Sequence, residues 1–227
     1  MNEAAMGKAV RDSGVKREEV LSSLAASKIW YPDYGYESTL LCVDDSLEKI
    51  GLEYIDLYLI HSPETGKQSR LDTWRALIEQ RNRGKLRTIG VSNFNVKHIE
   101  EIREACLELP AVNQMEIHPY CQNRPIVEYC KKNGIVLQAY CPLIRGQFDN
   151  PLFVELADKY KKTIAQVLVR WSLQHGFSPL PKSSRAHRIK ENADVHDFEI
   201  SDEDIARLDA LDKGDDGALE WNPIHVD

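Results

Sequence analysis

Polar side chains that are able to do chemistry follow short apolar segments at six places in the sequence. These places are Ser27-Lys28, His61-Ser62, Ser92-Asn93, residues 113–116, Tyr140-Cys141 and Lys182-Ser183-Ser184. A lysine and a histidine exchange protons near neutral pH when their surroundings shift their pKa values. The amides and hydroxyls in the same set are hydrogen-bond partners for a polar ligand. The set therefore predicts the lined mouth of an active site.

The apolar segments before these polar residues have the length of β-strands. They span residues 20–29, 55–61, 88–92, 111–117, 135–141 and 177–181, and they alternate poorly between apolar and polar residues. This pattern is typical of strands that are buried on both faces of a parallel sheet. Amphipathic helices are predicted between them, at residues 38–50, 71–83, 96–107, 125–132, 151–160 and 164–174. Helix starts are predicted at Thr163-x-x-Gln166 and Ser201-x-x-Asp204.

The alternation of strand and helix predicts an α/β fold with a parallel sheet. Such a sheet either stays open and doubly wound or closes into a barrel. An open dinucleotide-binding sheet carries G-x-G-x-x-G after its first strand, and the sequence has no such motif. We therefore expect a parallel (β/α) barrel of the TIM type, with about six of eight strands, in a single domain over residues 1–227. In such barrels the C-terminal ends of the strands carry the chemistry.

Composition excludes several other classes of protein. The 227 residues carry a formal net charge of −7, which argues against nucleic acid as the main partner. Five scattered cysteines predict a reduced, cytoplasmic chain. No apolar run reaches the ~18 residues of a membrane span, and no signal peptide is expected. The histidine pairs of zinc-dependent barrel hydrolases are missing, so we expect no metal among the site residues.

Taken in order, the strand-end motifs resemble those of the aldo-keto reductases. The segments are SKIW, YIDLYLIHSP, GKLRTIGVSNF, VNQMEIHP, LQAYCPL and LPKSS followed by RIKEN, from Ser27 to about Asn192. The first residues, NEAAMGKAVRDSGVKREEV, resemble the family's segment after its second barrel strand. This resemblance implies reduction of a small carbonyl substrate with NADPH, with NADH possible, and it leaves the substrate and the oligomeric state open.

The resemblance also implies roles for individual residues. Lys28 and His61 match the catalytic lysine and histidine. Ser92, Asn93 and Gln114 match residues that bind the nicotinamide carboxamide, and Tyr140 matches the aromatic residue that stacks on the nicotinamide ring. The remaining matches are Lys182, Ser183 and Arg188 for the 2′-phosphate, Glu191 and Asn192 for adenine, and Leu143 and Ser184 elsewhere along the cofactor.

One departure from the family concerns its catalytic aspartate and tyrosine. They lie in a pattern like I-D-T-A-x-x-Y-x-N-E, of which Asn2-Glu3 matches the end, so we expect an N-terminally shortened chain without the first two strands. Tyr31, Tyr34 and Tyr36 are alternative proton donors. A catalytically impaired NADPH-binding barrel, acting as an accessory protein or a truncated gene product, is the alternative function.

Overall fold

The computed structural model describes residues 2–20 and 26–227. Its strands are β1 Ala26–Ile29, β2 Ile55–Ile60, β3 Leu86–Ser92, β4 Val112–Glu116, β5 Val136–Tyr140 and β6 Ser178–Pro179. Its α-helices are α1 Glu3–Asp12, α2 Tyr36–Ile50, α3 Lys67–Asn82, α4 Val96–Glu104, α5 Arg124–Lys132, α6 Pro151–Tyr160, α7 Ile164–Gln174, α8 Ala186–Ala193 and α9 Asp202–Asp209. The strands form one sheet in the order β1-β2-β3-β4-β5-β6. The predicted α/β fold with six strands is confirmed.

Two helices have the predicted bounds, whereas α3 begins four residues before the predicted start at residue 71 and α4 ends three residues before the predicted end at residue 107. The helices predicted at residues 151–160 and 164–174 have these bounds in the structure. The Thr163 hydroxyl accepts a hydrogen bond from the Gln166 amide, and the Gln166 side chain accepts one from the Thr163 amide, which completes a capping box. The Ser201 hydroxyl accepts a hydrogen bond from the Asp204 amide and so caps the start of α9. The strand predicted at residues 20–29 is described only from Ala26, because residues 21–25 lie outside the described part.

Residues 1–113 and 223–227 form one compact unit. In this unit β1 pairs with β2 and β2 with β3, both in parallel, and all six residues of β2 are buried. Leu57, Leu59 and Val112 belong to its hydrophobic core. The register places Lys28 beside Leu59, so Lys28 lies near the C-terminal end of β1, and His61 follows directly after β2.

Residues 114–222 form the second compact unit. Its strands β5 and β6 are parallel, with Gln138 beside Ser178. Helices α6 and α7 pack together, and Phe153, Leu156, Leu168 and Trp171 are fully buried. This unit contains the predicted cofactor residues from Gln114 to Asn192. In the two described ranges no helix combines the length and the apolar composition that crossing a bilayer requires.

Candidate active site

Lys28 and His61 lie at the C-terminal ends of neighbouring parallel strands in the first unit. The Lys28 Nζ donates a hydrogen bond to Ser92 Oγ over 3.3 Å, which joins β1 to the end of β3. Burial lowers the pKa of Lys28 to about 8, because a buried ammonium loses its hydration. Lys28 therefore keeps most of its charge at pH 7 but releases its proton more readily than a surface lysine.

The His61 backbone is held by two hydrogen bonds, and its ring lies against an aromatic neighbour. The His61 amide donates to the Ile29 carbonyl over 3.1 Å, and Asn93 Nδ2 donates to the His61 carbonyl over 3.2 Å. The Trp30 ring lies 4.4 Å from the imidazole between centroids. Burial, followed by the charge of Lys28, lowers the pKa of His61 to about 4. The imidazole is therefore neutral at pH 7 and donates or accepts a hydrogen bond without carrying a charge.

Asn93 supports this arrangement through an unusual backbone conformation. Its φ angle is 62°, in the left-handed region that asparagine tolerates better than most residues. The same amide nitrogen that bonds the His61 carbonyl also lies 3.4 Å from Ser92 Oγ. The structure thus brings together four of the predicted residues, which are Lys28, His61, Ser92 and Asn93.

A cavity of about 440 Å³ opens beside Lys28 and His61. This volume falls in the range that small ligands occupy in proteins. Its lining consists of Asn2, Glu3, Met6, Ser27, Lys28, Trp30 and His61. The Glu3 carboxylate accepts a hydrogen bond from Ser27 Oγ over 2.5 Å, which fixes the start of α1 to β1. Asn2 and Glu3, the residues that match the end of the family's tyrosine pattern, therefore form part of the cavity wall.

Two of the three alternative tyrosines are committed to other contacts. The Tyr34 hydroxyl donates to the Ser62 carbonyl over 2.7 Å and accepts from the Ser62 amide over 3.0 Å. Burial raises the pKa of Tyr34 to about 12. The Tyr36 hydroxyl donates to Glu79, and this hydrogen bond raises the pKa of Tyr36. Tyr31 is partly exposed and packs against Trp30. Neither Tyr34 nor Tyr36 is arranged to release a proton to a substrate.

Two of the predicted nicotinamide residues lie in the second unit, Gln114 in the middle of β4 and Tyr140 at the end of β5. Gln114 Nε2 donates to Gln138 Oε1 over 2.8 Å, so the amide of Gln114 has a fixed orientation. Tyr140 is the last residue of β5, and burial raises its pKa. The phenol is therefore neutral and offers an uncharged ring face. Leu143 follows in the turn after β5 and is half-buried.

The predicted phosphate residues surround the start of α8. Lys182 and Arg188 are exposed, and among the described residues neither forms an ion pair with a carboxylate. Ser184 is also exposed. Ser183 Oγ accepts a hydrogen bond from the Arg185 amide. Two cations without counter-ions at a helix start suit a phosphate group.

The predicted adenine residues have different surroundings. The Glu191 carboxylate accepts a hydrogen bond from Thr163 Oγ1 over 2.8 Å, which ties α8 to α7. Asn192 is buried. The sequence did not single out Trp30 as part of the site. The signal for Trp30 was its place two residues after Lys28 in SKIW, but its stacking on His61 depends on the pairing of β1 with β2.

Comparison with known proteins shows the family of the chain. The model of the Aldo/keto reductase family matches residues 1–213. The chain is 48% identical over 213 residues to the glyoxal reductase of Bacillus subtilis, an alignment that covers 93% of this chain and 75% of that protein. Among solved structures, MGS-M4, an aldo-keto reductase enzyme from a deep-sea metagenome library of the Medee basin, superposes with a TM-score of 0.92 at 39% identity. The match covers 100% of this chain and 83% of that chain.

A relative with a bound cofactor is also similar. The Bombyx mori aldo-keto reductase, solved in complex with NADP, gives a TM-score of 0.85 at 33% identity and covers 93% of this chain and 75% of that chain. The fold predicted from the sequence is thus the fold of NADP-binding relatives. Both the family model and the relatives lead to one conclusion: this chain belongs to the aldo/keto reductase family.

Proposed function

We propose that this chain is an NADPH-dependent oxidoreductase that reduces the carbonyl group of an aldehyde or ketone to an alcohol. The observation that carries this proposal is the pair formed by Lys28 and His61, both with lowered pKa values and both lining one cavity. Perturbed titratable groups that share a cavity are a frequent mark of an active site. The proposal treats residues 1–227 as a single reductase domain.

The two residues have complementary roles in this proposal. Neutral His61 donates a hydrogen bond to the carbonyl oxygen and orients it. The Lys28 ammonium stabilises the negative charge that develops on that oxygen, because a charge acts strongly where water is excluded. Lys28 Nζ also holds a proton at pH 7 with a pKa of about 8, which suits proton transfer near neutral pH.

The residues of the second unit fit a nicotinamide dinucleotide phosphate. Gln114 presents an oriented amide for the carboxamide, and Tyr140 presents a neutral ring for stacking. Lys182 and Arg188 match the charge of a 2′-phosphate, which favours NADPH over NADH. When bound, the cofactor supplies the hydride that the carbonyl carbon accepts.

A second function is favoured by the contacts of the tyrosines. Tyr34 and Tyr36 are held in other hydrogen bonds, and no tyrosine is among the residues that line the described cavity, so this cavity has a lysine and a histidine but lacks a phenol ready to donate. Loss of a general acid typically costs ~10²–10⁴-fold in rate. The alternative is therefore a barrel that binds NADPH and turns over poorly, in an accessory role.

The test is a titration of the chain with NADPH followed by tryptophan fluorescence, then NADPH consumption with a panel of small carbonyls. Glyoxal belongs in the panel because a similar protein is a glyoxal reductase. We expect binding and turnover in the wild type, and loss of turnover with retained binding in Lys28→Met. Binding without turnover of any carbonyl would support the accessory function, and absence of binding by the folded chain would refute both.

A charge variant tests the choice of cofactor. Arg188→Ala should weaken NADPH binding by at least tenfold while NADH binding is unchanged, since only NADPH carries the 2′-phosphate. Lys132→Ala removes an exposed charge from α5 and serves as the control. Equal losses for both cofactors in Arg188→Ala would place the arginine outside a 2′-phosphate site.

A further inference from the structure

Three side chains with metal-binding atoms lie close together in the second unit. None of them has a role in the hydride or proton transfer proposed above. Glu116 is the last residue of β4, His118 lies two residues further on, and Cys141 follows β5. Their ligand atoms, a carboxylate oxygen, an imidazole nitrogen and a thiol sulphur, all lie within 4.8 Å of one another. Ligands around one tetrahedral zinc ion lie roughly 3.5 Å apart. The three residues therefore need only small side-chain movements to share an ion.

The backbone around this cluster is fixed by several contacts. His118 and Cys121 exchange two backbone hydrogen bonds of 3.1 and 2.9 Å. Cys141 has a φ of 55°, a conformation that a non-glycine residue adopts at some cost. The thiol of Cys141 is thus directed by a constrained turn, and the imidazole of His118 by a short closed loop.

Neighbouring hydrogen bonds also orient the Glu116 carboxylate. One oxygen accepts from His118 Nε2 over 2.9 Å and from the Leu219 amide over 2.7 Å, and the other accepts from the Glu220 amide over 3.1 Å. A carboxylate has about four lone-pair positions, so a position remains for a cation. Oriented carboxylates and imidazoles of this kind surround metal ions in many proteins.

One ring nitrogen of the buried His118 is left without a hydrogen-bond partner in the described part of the chain. His118 is fully buried, yet within the described ranges its Nδ1 has no hydrogen-bond partner. Buried polar atoms of native proteins nearly always have partners. Cys141, in contrast, is only half-buried, which leaves a route by which an ion from solvent reaches the cluster.

We propose that Glu116, His118 and Cys141 form a binding site for Zn²⁺. Thiolate, imidazole and carboxylate are all zinc ligands, and three protein ligands with one open position for water are a common zinc arrangement. Binding releases the thiol proton of Cys141 to solvent and moves the imidazole proton of His118 from Nε2 to Nδ1, so that the sulphur and Nε2 each donate an electron pair to the ion. The site is not part of the proposed carbonyl reduction, so its existence does not depend on that function.

The test titrates the 227-residue chain with Co²⁺ alone, followed by absorption, and with Zn²⁺ alone, followed by calorimetry. We expect one ion per chain, a thiolate-to-cobalt charge-transfer band, and displacement of Co²⁺ by Zn²⁺. Cys141→Ser keeps the size of the side chain and should weaken Zn²⁺ binding by at least ~100-fold. Loss of a residue that only hydrogen-bonds a metal ligand already weakens metal binding ~10–100-fold. Cys106→Ser, at an exposed cysteine outside the cluster, should leave the band unchanged.

His118→Gln is the second variant, and it should abolish stoichiometric binding while the chain stays folded by circular dichroism. Absence of the cobalt–thiolate band in the wild type would overturn the proposal. So would Zn²⁺ affinity in Cys141→Ser equal to that of the wild type, or loss of the band in Cys106→Ser.

Discussion

Replacing Lys28 with methionine should stabilise the fold at pH 7 while it removes the proposed activity. The pKa of Lys28 falls from 10.5 in the open chain to about 8 in the folded chain. At about 1.4 kcal/mol per pKa unit, this shift means that burial of the charged Lys28 side chain lowers the free energy of unfolding by ~3 kcal/mol. Methionine has a similar length and no charge, so it avoids this cost.

One contact reduces the gain. Lys28 Nζ donates to Ser92 Oγ over 3.3 Å, and loss of a single hydrogen bond costs ~1 kcal/mol. The expected net stabilisation of Lys28→Met at pH 7 is therefore ~2 kcal/mol. Most single substitutions destabilise a protein, so a gain of this size at one position would be distinctive.

The stabilisation by Lys28→Met should depend on pH, because Lys28 has different pKa values in the folded and the unfolded chain. Between pH 8 and 10.5 the unfolded chain binds more protons at Lys28 than the folded chain, so the free energy of unfolding contributed by this group rises with pH. The advantage of Lys28→Met should therefore be fully present below pH 8 and shrink by ~3 kcal/mol towards pH 10.5. The other groups that titrate in this range are the same in both chains and cancel in the difference.

The assay is urea unfolding of both chains at pH 7 and at pH 10, with Lys132→Met as a control at an exposed lysine. The control should change the free energy of unfolding by less than about 0.5 kcal/mol at either pH. If Lys28→Met were less stable than the wild type at pH 7, or if the difference did not change with pH, Lys28 would not be a buried charge and the electrostatic argument for the site would fail.

Other predictions concern contacts away from Lys28. Tyr34→Phe should lower the free energy of unfolding by ~1–3 kcal/mol, because it leaves a buried backbone amide and carbonyl without their partner. It should slow turnover less than about tenfold, whereas loss of a general acid would slow it ~10²–10⁴-fold. Tyr36→Phe, measured in parallel by urea unfolding and by rate, should lower the free energy of unfolding less than Tyr34→Phe. Gly217→Ala should loosen the segment around it, because an added Cβ would lie 1.7 Å from the Tyr120 carbonyl oxygen, and faster amide exchange at residues 218–220 would show this. Burial opposes ionisation of Asp204, but hydrogen bonds from its basic and hydroxyl neighbours hold its pKa below the ordinary value. Asp204→Asn should thus destabilise the fold at pH 7. The difference should begin to shrink as pH enters the ordinary range of a carboxyl group and should disappear only as pH falls through the lowered pKa of the folded chain, as acid unfolding curves of both chains would reveal.

The sequence predicted the strands and many helix ends because these depend on local signals. An N-capping hydroxyl acts within a few residues, as Thr163 shows. The strand-end positions of Lys28 and His61 followed from the same local patterns, because parallel strands present their C-terminal ends at one edge. The family resemblance then added the chemical roles that no periodicity could supply.

Contacts between distant segments were beyond local signals. The Tyr34 hydroxyl bonds the backbone of Ser62, 28 residues away. Glu116 accepts hydrogen bonds from the amides of Leu219 and Glu220, more than 100 residues later. Neither spacing nor composition indicates that these residues form hydrogen bonds with each other. Any buried hydroxyl or carboxylate forms a hydrogen bond with some partner, and the packing of the whole unit decides which partner it is.

The electrostatics of the first unit give the strongest physical reason to expect carbonyl chemistry. The chain has 36 acidic residues against 29 lysines and arginines, yet among the described residues Lys28 has a hydroxyl and no carboxylate as its bonded neighbour. Glu3 lines the same cavity, but its carboxylate is bonded to Ser27. A carboxylate beside Lys28 would raise its pKa and neutralise the cavity. The cavity instead keeps an unpaired cation and a neutral imidazole side by side, an arrangement that lowers the stability of the fold. Such an arrangement benefits a protein when negative charge appears in the cavity during the reaction, as it does on a carbonyl oxygen that receives a hydride.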